Sequence, residues 1–573
     1  MKPRIQRRAV AISDGWPDSV HPVLRRVYAA RGVTSPEQIE HRLAALLAPQ
    51  ALGGLQQACA LIEAALRRRA RIVVVGDFDA DGATGTAVAL RGLAMLGAEN
   101  LGYAVPNRFR HGYGLTPLLV DELRAQRPDL LITVDNGVAA HAGVAAAKAL
   151  GMQVVVTDHH LPGATLPPAD AIVNPNLDGD AFPSKALAGV GVMFYLLLAL
   201  RAHLRERAWF TERGIGEPDL AVLLDLVALG TVADLVPLDR NNRILVDAGL
   251  KRIRSGRACA GINALLDSGK RELARVVASD LGFVAAPRIN AAGRLEDMAL
   301  GIECLLTDDP ARAAQLAEML SAINAERREL QADMVEQAER EVHKWRTQHG
   351  SDSIPHGVVL FDPDWHHGVV GLVASKLKDT LQRPVIACAV AGEEIKASGR
   401  SISGFHLRDA LAEVDARHPG LLQRFGGHAM AAGLSLRRDD VGAFTAAFDA
   451  VARERLAPEQ LESVLLSDGE LAAADFSFEL ARQLRAGGPW GQAFPEALFD
   501  GEFVVDSWKV VGEKHLKLKL RRDGIAAPLD AIAFNAALDQ KPPARLRAAY
   551  QLELDEWQGM LRLQLLLRHM EAI

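Results

Sequence analysis

A chain of 573 residues, 49% hydrophobic and 24% charged, has room for about four domains and is not the composition of a disordered or fibrous protein. Its net charge of −6 excludes a simple DNA-coating protein. A nucleic-acid enzyme with this balance has to concentrate its positive charge locally.

The first 50 residues open with MKPRIQRRAV, basic but without the apolar core of a signal peptide, and carry no assignable chemistry. Arg71-Ile72-Val73-Val74-Val75 then reads as a buried strand running into GDFDADGATG at residues 76–85. Asp77, Asp79 and Asp81 alternate there with no Lys or Arg among them. Ionised together in a folded protein they repel, and desolvation raises their pKa values; a bound cation removes both costs. An EF-hand is excluded, because its twelfth position, counted from Asp77, is Val88 rather than Glu, and a strand precedes the loop instead of a helix. A helix is expected to begin near Gly82 to Gly85.

The construction recurs. A helix over Leu115 to Gln126 leads to the apolar run Asp129 to Val134, which ends in Asp135-Asn136-Gly137. A helix over Val138 to Leu150 leads to Gln153 to Thr157, which ends in Asp158-His159-His160. This rhythm implies parallel βαβ units, and ligands gather at the carboxyl ends of such strands. Each motif alone reads as a turn or a pair of surface histidines; together they predict one metal site. Hard oxygen ligands with one or two imidazoles suit Mn²⁺ or Mg²⁺.

Ala186 to Leu200, the longest uncharged stretch, is too short to span a bilayer. The run from Pro310 to His349 predicts one amphipathic helix of about 38 residues, or about 57 Å. Arg327 interrupts its apolar seam, so a strut between domains is expected rather than a coiled-coil arm. Gly357 to Phe361 and Arg383 to Ala389 read as strands of a second α/β domain, set across a cleft from the first. In that domain Ser398-Gly399-Arg400 and Gly426-Gly427-His428 combine donors with glycines that let backbone approach a phosphate, although such triplets are mostly turns. Five short strands follow, Glu502 to Val511, Lys514 to Arg522, Pro528 to Phe534, Tyr550 to Glu556 and Gly559 to Arg568, and suit an OB-like barrel. Leu516, Leu518 and Leu520 alternate with Lys517, Lys519 and Arg521, giving one apolar and one cationic face for a single strand. Cys59, Cys259, Cys304 and Cys388 are scattered with no CxxC pair and read as reduced, buried thiols of a cytoplasmic protein. No G-x-S-x-G follows a strand-like run, which sets aside a serine nucleophile.

The Asp158-His159-His160 triplet, the upstream DxD loop and the isolated Asp135 resemble the DHH phosphoesterase superfamily. Gly230-Thr231-Val232-Ala233-Asp234 is similar to the superfamily's fourth acidic motif. The length, Pro287 to Arg294 (PRINAAGR), Trp365-His366-His367-Gly368 and the Ser398 and Gly426 triplets resemble its long, single-strand-specific bacterial exonucleases. Pro489-Trp490-Gly491 also fits, but Ala493-Phe494 departs from the Gly-Asn of those relatives.

The resemblance implies a multidomain α/β fold. Its parts are an N-terminal segment (1–50), a parallel-sheet DHH core (51–305), a linker helix (306–349), a DHH-associated substrate-binding domain (350–455) and an OB-like nucleic-acid-binding domain (456–573). It implies a metal-dependent exonuclease releasing mononucleotides from single-stranded DNA in the 5′→3′ direction, in repair and recombination. Two ions about 3.5–4 Å apart would clamp an in-line displacement. Asp135 would bridge them, Asp77 and Asp79 would hold one, and Asp81, His159 and Asp234 the other. His160 would contact the scissile phosphate, and Asp158 would orient a histidine. Arg108, Arg110, Arg288 and Arg294 would line the strand path. Ser398, Arg400, Gly427 and His428 would take the terminal phosphate or adjoining nucleotide. A monomer is expected, with single-strand-binding protein and a helicase as partners. The alternatives are a DHH phosphodiesterase of short oligonucleotides or cyclic dinucleotides, which needs neither strut nor barrel, and an inactive DNA-binding scaffold, which would not retain the carboxylate set.

Overall fold

The computed structural model describes residues 3–11, 14–349, 354–512, 514–536, 542–557 and 560–573. Met1 and Lys2 of the basic start, Gly350 at an expected domain boundary and Gly559 at the head of the last expected strand lie outside them. The chain forms two compact units. One contains Arg8–Asn324 and Ser467–Ile573; the other contains Ala325–Leu466 and the N-terminal residues up to Arg7.

In the first unit, helix α1 (Pro22–Ala29) presents Tyr28 to Trp16 on one side and to Trp490 and Phe494 on the other, with ring centroids 5.9, 6.0 and 6.4 Å apart. Trp490 and Phe494 stack on each other at 5.1 Å. The departure at Phe494 is therefore a packing element, and the N-terminal segment has a structural role. Arg31, just beyond α1, donates to both carboxylate oxygens of buried Asp468 at 3.0 Å. Removing Asp468 takes the counter-charge from the buried Arg31 side chain, at a cost of about 3–5 kcal/mol, whereas Arg8, 3.4 Å away, still faces Asp468 if Arg31 is removed.

The core of this unit is a five-stranded parallel sheet of β1 (Ile72–Val75), β2 (Leu101–Ala104), β3 (Leu130–Val134), β4 (Gln153–Thr157) and β5 (Ala171–Val173), in the order β2-β1-β3-β4-β5. Val73, Val75, Leu131 and Val154 pack into one apolar cluster, whereas Ile72, Val74, Ile132 and Val155 pack into another. Both faces are thus covered, which explains why β1 is a run of β-branched residues without alternation. The strand order reverses between β1 and β3, the switch point where doubly wound sheets open a crevice.

Two helix starts differ from the sequence expectation. Helix α2 (Ala80–Met95) starts before Gly82, because Asp79 caps it through Oδ1, which accepts from the amides of Asp81 and Gly82 at 3.0 Å. Helix α3 (His141–Ala149) starts later than Val138, whose amide donates instead to Asp158 Oδ2 at 2.8 Å. The PRINAAGR motif lies inside a helix. After α4 (Gly189–Glu206) and α5 (Leu224–Ala233), residues Leu281–Ala285 form a π-helical turn that runs into α6 (Ala286–Leu295).

A single 40-residue helix, α7 (Pro310–His349), carries the chain into the other unit. That unit holds β6 (Val358–Phe361), β7 (Val385–Ala391), β8 (Glu394–Arg400), β9 (Arg424–Gly427) and β10 (Ala431–Arg437), ordered β9-β10-β8-β7-β6. Only β6 and β7 run parallel. Ser398-Gly399-Arg400 and Gly426-Gly427 are therefore strand residues rather than turns.

The C-terminal strands β11 (Phe499–Val511), β12 (His515–Arg521), β13 (Leu529–Ala533), β14 (Arg545–Trp557) and β15 (Met560–Ala572) close a barrel in the order β11-β12-β13-β15-β14. Leu516, Leu518 and Leu520 are buried, so the cations between them face outward. Among the described residues no single helix is long and apolar enough to cross a membrane. The four cysteines are free, and Cys259 is only half-buried, unlike the other three.

Candidate metal centre

Every carboxyl end on the inner side of the switch point delivers a ligand-type side chain. Asp77 and Asp79 follow β1, Asp81 sits in the first turn of α2, and Asp135 follows β3. His159 and His160 follow β4, and Asp234 ends α5. Ligand atoms within 4.8 Å of one another form three groups: Asp77 with Asp79 and Asp135, Asp81 with His159 and Asp234, and Asp135 with His159 and His160. His159 Nε2 lies 3.1 Å from Asp135 Oδ1 and 3.5 Å from Asp234 Oδ2.

Asp135 belongs to two of these groups and is held in an unusual way. Its backbone is left-handed, at φ 62°, a conformation that costs a non-glycine residue about 1–3 kcal/mol. Three contacts hold the turn: its amide donates to Thr157 O at 3.1 Å, its carbonyl accepts from the Tyr113 hydroxyl at 3.1 Å, and Gly189 packs against its Cβ. Asp81 sits on the N-terminus of α4, accepting from Gly189 N at 2.6 Å and Val190 N at 3.0 Å. The helix dipole there favours its negative charge.

The electrostatics call for cations. Burial, reinforced by the neighbouring carboxylates, holds Asp77, Asp135 and Asp234 well above the ordinary carboxylate range and pushes Asp81 to about 7. Asp77 Oδ1 is buried and accepts no hydrogen bond, and buried Asp135 Oδ1 faces the His159 imidazole. Buried, crowded, unsatisfied oxygens beside imidazole fit a hard divalent cation such as Mn²⁺ or Mg²⁺.

Asp158 is tied differently. Its Oδ1 accepts from the amides of His159 and His160 at 2.8 and 3.1 Å and pairs with His160 Nδ1 at 2.7 Å. For Asp158, burial alone would raise the pKa, but the His160 pair outweighs it and holds the carboxyl below its usual value. Burial alone would lower His160, and the same pair raises it. The pair thus favours an imidazolium.

The arginines divide. Arg108 lies over the Phe78 ring at 3.9 Å, donates to Gly293 O at 3.2 Å and faces the charges of Asp77 and Asp79. Arg110 turns away and pairs with Glu122 at 2.6 Å. Arg288 donates to Ser321 Oγ and Val284 O at 2.9 and 2.6 Å, and Arg294 is half-buried near the end of α6. In the other unit, Arg400 Nη1 donates to Ser398 Oγ at 3.1 Å and Gly399 O at 2.8 Å. His428 N donates to Ala431 O at 2.7 Å, closing the β9–β10 hairpin. A Cβ on Gly427, at φ 137°, would lie 2.4 Å from Ala431 O, so only glycine fits. On the barrel, Lys519 pairs with Asp530 at 2.9 Å and Arg521 with Asp506 at 2.6 Å, while Lys517 lies opposite Lys509.

Sequence reasoning missed the supports. Asn136 Nδ2 donates to Val75 O at 3.0 Å and Val134 O at 2.9 Å, clamping β1 to β3 beneath the ligands. Asn290 Oδ1 accepts from Ala80 N at 2.8 Å, while Asn174 and Asn176 donate to the carbonyls of His160 and His159 at 2.9 and 2.6 Å. For Asn136 the available signal was an asparagine directly after a strand, which reads as a turn former.

Three family models match the chain: the DHH family N-terminal domain over residues 71–231, the DHHA1 domain over 355–454 and the RecJ OB domain over 467–569. The chain is 51% identical to the single-stranded-DNA-specific exonuclease RecJ of Dickeya dadantii over 99% of both chains. It is 49% identical to the protein of that name from Escherichia coli, again over 99% of both. The crystal structure of RecJ in complex with Mn²⁺ from Thermus thermophilus is similar at 32% identity and a TM-score of 0.80, covering 100% of this chain and 80% of that one.

Proposed function

From a chain that belongs to the RecJ family of DHH exonucleases, we propose the following division of labour within a metal-dependent exonuclease of single-stranded DNA. The observation that carries it is the convergence of five carboxylates and His159 on one switch point. Bound divalent ions supply Lewis acidity and neutralise charge at the scissile phosphate.

Asp77 and Asp79 would hold one ion, Asp81, His159 and Asp234 would hold a second, and Asp135 would serve both. The charge balance supports two ions. Asp77, Asp79, Asp81, Asp135 and Asp234 meet Arg108 as the fixed cation that faces Asp77 and Asp79, and a pair of divalent cations offsets the remainder. His160, held by Asp158, donates to a non-bridging phosphate oxygen and steadies the charge that develops there. Arg108, held flat on Phe78, orients the same phosphate, and Arg288 and Arg294 follow the strand beyond it. Ser398, Arg400, Gly427 and His428 take the terminal phosphate and the adjoining nucleotide, and Lys517 with its outward neighbours guides the incoming strand. Cleavage runs 5′→3′ and releases mononucleotides in DNA repair. Residues 51–305 carry out hydrolysis, 350–455 recognise the strand end and 456–573 capture the strand.

The test is a Mn²⁺-dependent assay on 5′- and 3′-labelled single strands. Immediate release of a labelled mononucleotide from the 5′ label, absent with Asp135→Ala, is expected. Turnover of dinucleotides alone, with long strands untouched, would overturn the proposal.

A further inference from the structure

A second cleft, of about 630 Å³, lies in the same unit as the metal centre but at the other end of α2. Asp79 caps the first turn of that helix, whereas Arg91 and Ala94, which line the cleft, sit in its last turns. The separation is about 18 Å along the axis at the standard rise. Ligand pockets typically occupy about 300–1,000 Å³, with apolar walls and a few convergent polar groups. This cleft has that make-up, lined by Leu90, Ala94, Leu101, Val222 and Leu306 together with Arg91, Arg252 and Arg257.

The three guanidiniums differ in what already satisfies them. Arg91 is committed to the fold, donating to Leu305 O, Leu306 O and Asp308 Oδ1 at 3.2, 2.9 and 2.8 Å. Arg252 spends one Nη on Arg257 O at 2.7 Å, and its Nε is buried with no hydrogen-bond partner. Arg257 donates to Ser255 Oγ at 3.0 Å. Among the described residues neither Arg252 nor Arg257 forms an ion pair. Two acids line the cleft: Asp308 pairs with Arg91, and Asp225 is taken by backbone amides, Oδ2 accepting from Cys259 N at 2.7 Å and Oδ1 from Leu226 N at 3.0 Å. Arg252 and Arg257 therefore keep spare donors at a cleft whose acids are already engaged, Asp308 by Arg91 and Asp225 by backbone amides and the charge of Arg252.

We propose that this cleft binds a small organic anion, whose charged group pairs with Arg252 and Arg257 and whose ring or chain lies along Leu90, Ala94 and Leu306. Charge-assisted hydrogen bonds supply the orientation, and the apolar walls supply the area. The proposal is independent of the metal centre and of the nuclease reading.

The test uses the full chain in chelator, with anilinonaphthalene sulfonate as the probe, followed by fluorescence and calorimetry. Saturable binding at one site per chain is expected. It should weaken about tenfold or more in the double variant Arg252→Gln/Arg257→Gln, the scale of one lost charge-assisted bond. Ala94→Phe, which fills the wall and leaves both arginines, should weaken it as well. Melting temperature and nuclease activity should stay at wild-type values in both variants, because neither change touches the metal centre. Competition identifies the source of the anion: displacement by octanoate marks a chain carboxylate, and displacement by deoxyadenosine monophosphate marks a nucleotide. Binding that survives both variants, or that octanol displaces as well as octanoate does, overturns the proposal.

Discussion

Gly189→Ala tests the geometry of the metal centre without touching a ligand. A Cβ at Gly189 would lie 2.5 Å from Asp135 Cβ and 2.8 Å from Asp135 Oδ1. Restoring an ordinary 3.4 Å contact requires a relative movement of about 0.9 Å. The same residue's amide holds Asp81 Oδ2 at 2.6 Å, so both ligand sets feel the shift. Displacements of about 1 Å in a reacting constellation cost about 10²-fold in rate. Overpacking at this buried site adds about 1–3 kcal/mol of destabilisation, which a folded chain of this size can absorb. The assay is kcat for mononucleotide release from a labelled single strand at saturating Mn²⁺, with strand affinity and melting temperature measured in parallel. A loss of about 10²-fold in kcat, with strand affinity nearly unchanged, is expected. A folded variant within about threefold of wild type would refute the argument that close packing at Gly189 sets the Asp135 geometry.

Three further outcomes follow from the electrostatics. The metal-free chain should melt at a lower temperature at pH 8 than at pH 5.5. Carboxyls near 4 when unfolded are raised in the fold, Asp81 to about 7, so the native state binds more protons and loses stability as pH rises through that value. Saturating Mn²⁺ should remove this pH dependence; a metal-free chain that is more stable at pH 8 would contradict the raised values. Asp135→Asn should abolish cleavage yet raise the melting temperature of the metal-free chain, because it removes a buried charge from a crowd of like charges; calorimetry in chelator checks the sign. On the barrel, Lys517→Ala should lower the salt slope of single-strand binding by about 0.7, the value for one neutralised phosphate. Lys519→Ala should lower it less, since Lys519 already pairs with Asp530. Equal slopes for the two variants would show that these pairs do not ration the cations.

Much of this site was legible because its chemistry is local. Three carboxylates crowded at alternate positions favour a cation, and a β-branched run before them favours a strand, so Asp77, Asp79, Asp81 and their strand stood out in the sequence. The recurrence at Asp135 and at His159-His160 was legible for the same reason, since parallel strands put their carboxyl ends on one edge. The amphipathic spacing from Pro310 onward and the Leu/Lys alternation near Leu518 likewise state their element in their period. What the chain order could not reveal is which groups hold the ligands still. Gly189 and Asn290 act on β1 and β3 from far along the chain, through contacts that exist only once the helices have packed on the sheet. The same holds for Phe494, whose departure from the relatives' pattern reads as doubt in the sequence and as a stacked ring against Trp490 and Tyr28 in the fold. Composition and periodicity determine which residues can bear the chemistry; the orientation of Asp135 at φ 62° and the pairing of each cation are decided by long-range packing, because those energies belong to neighbours that the sequence does not place side by side.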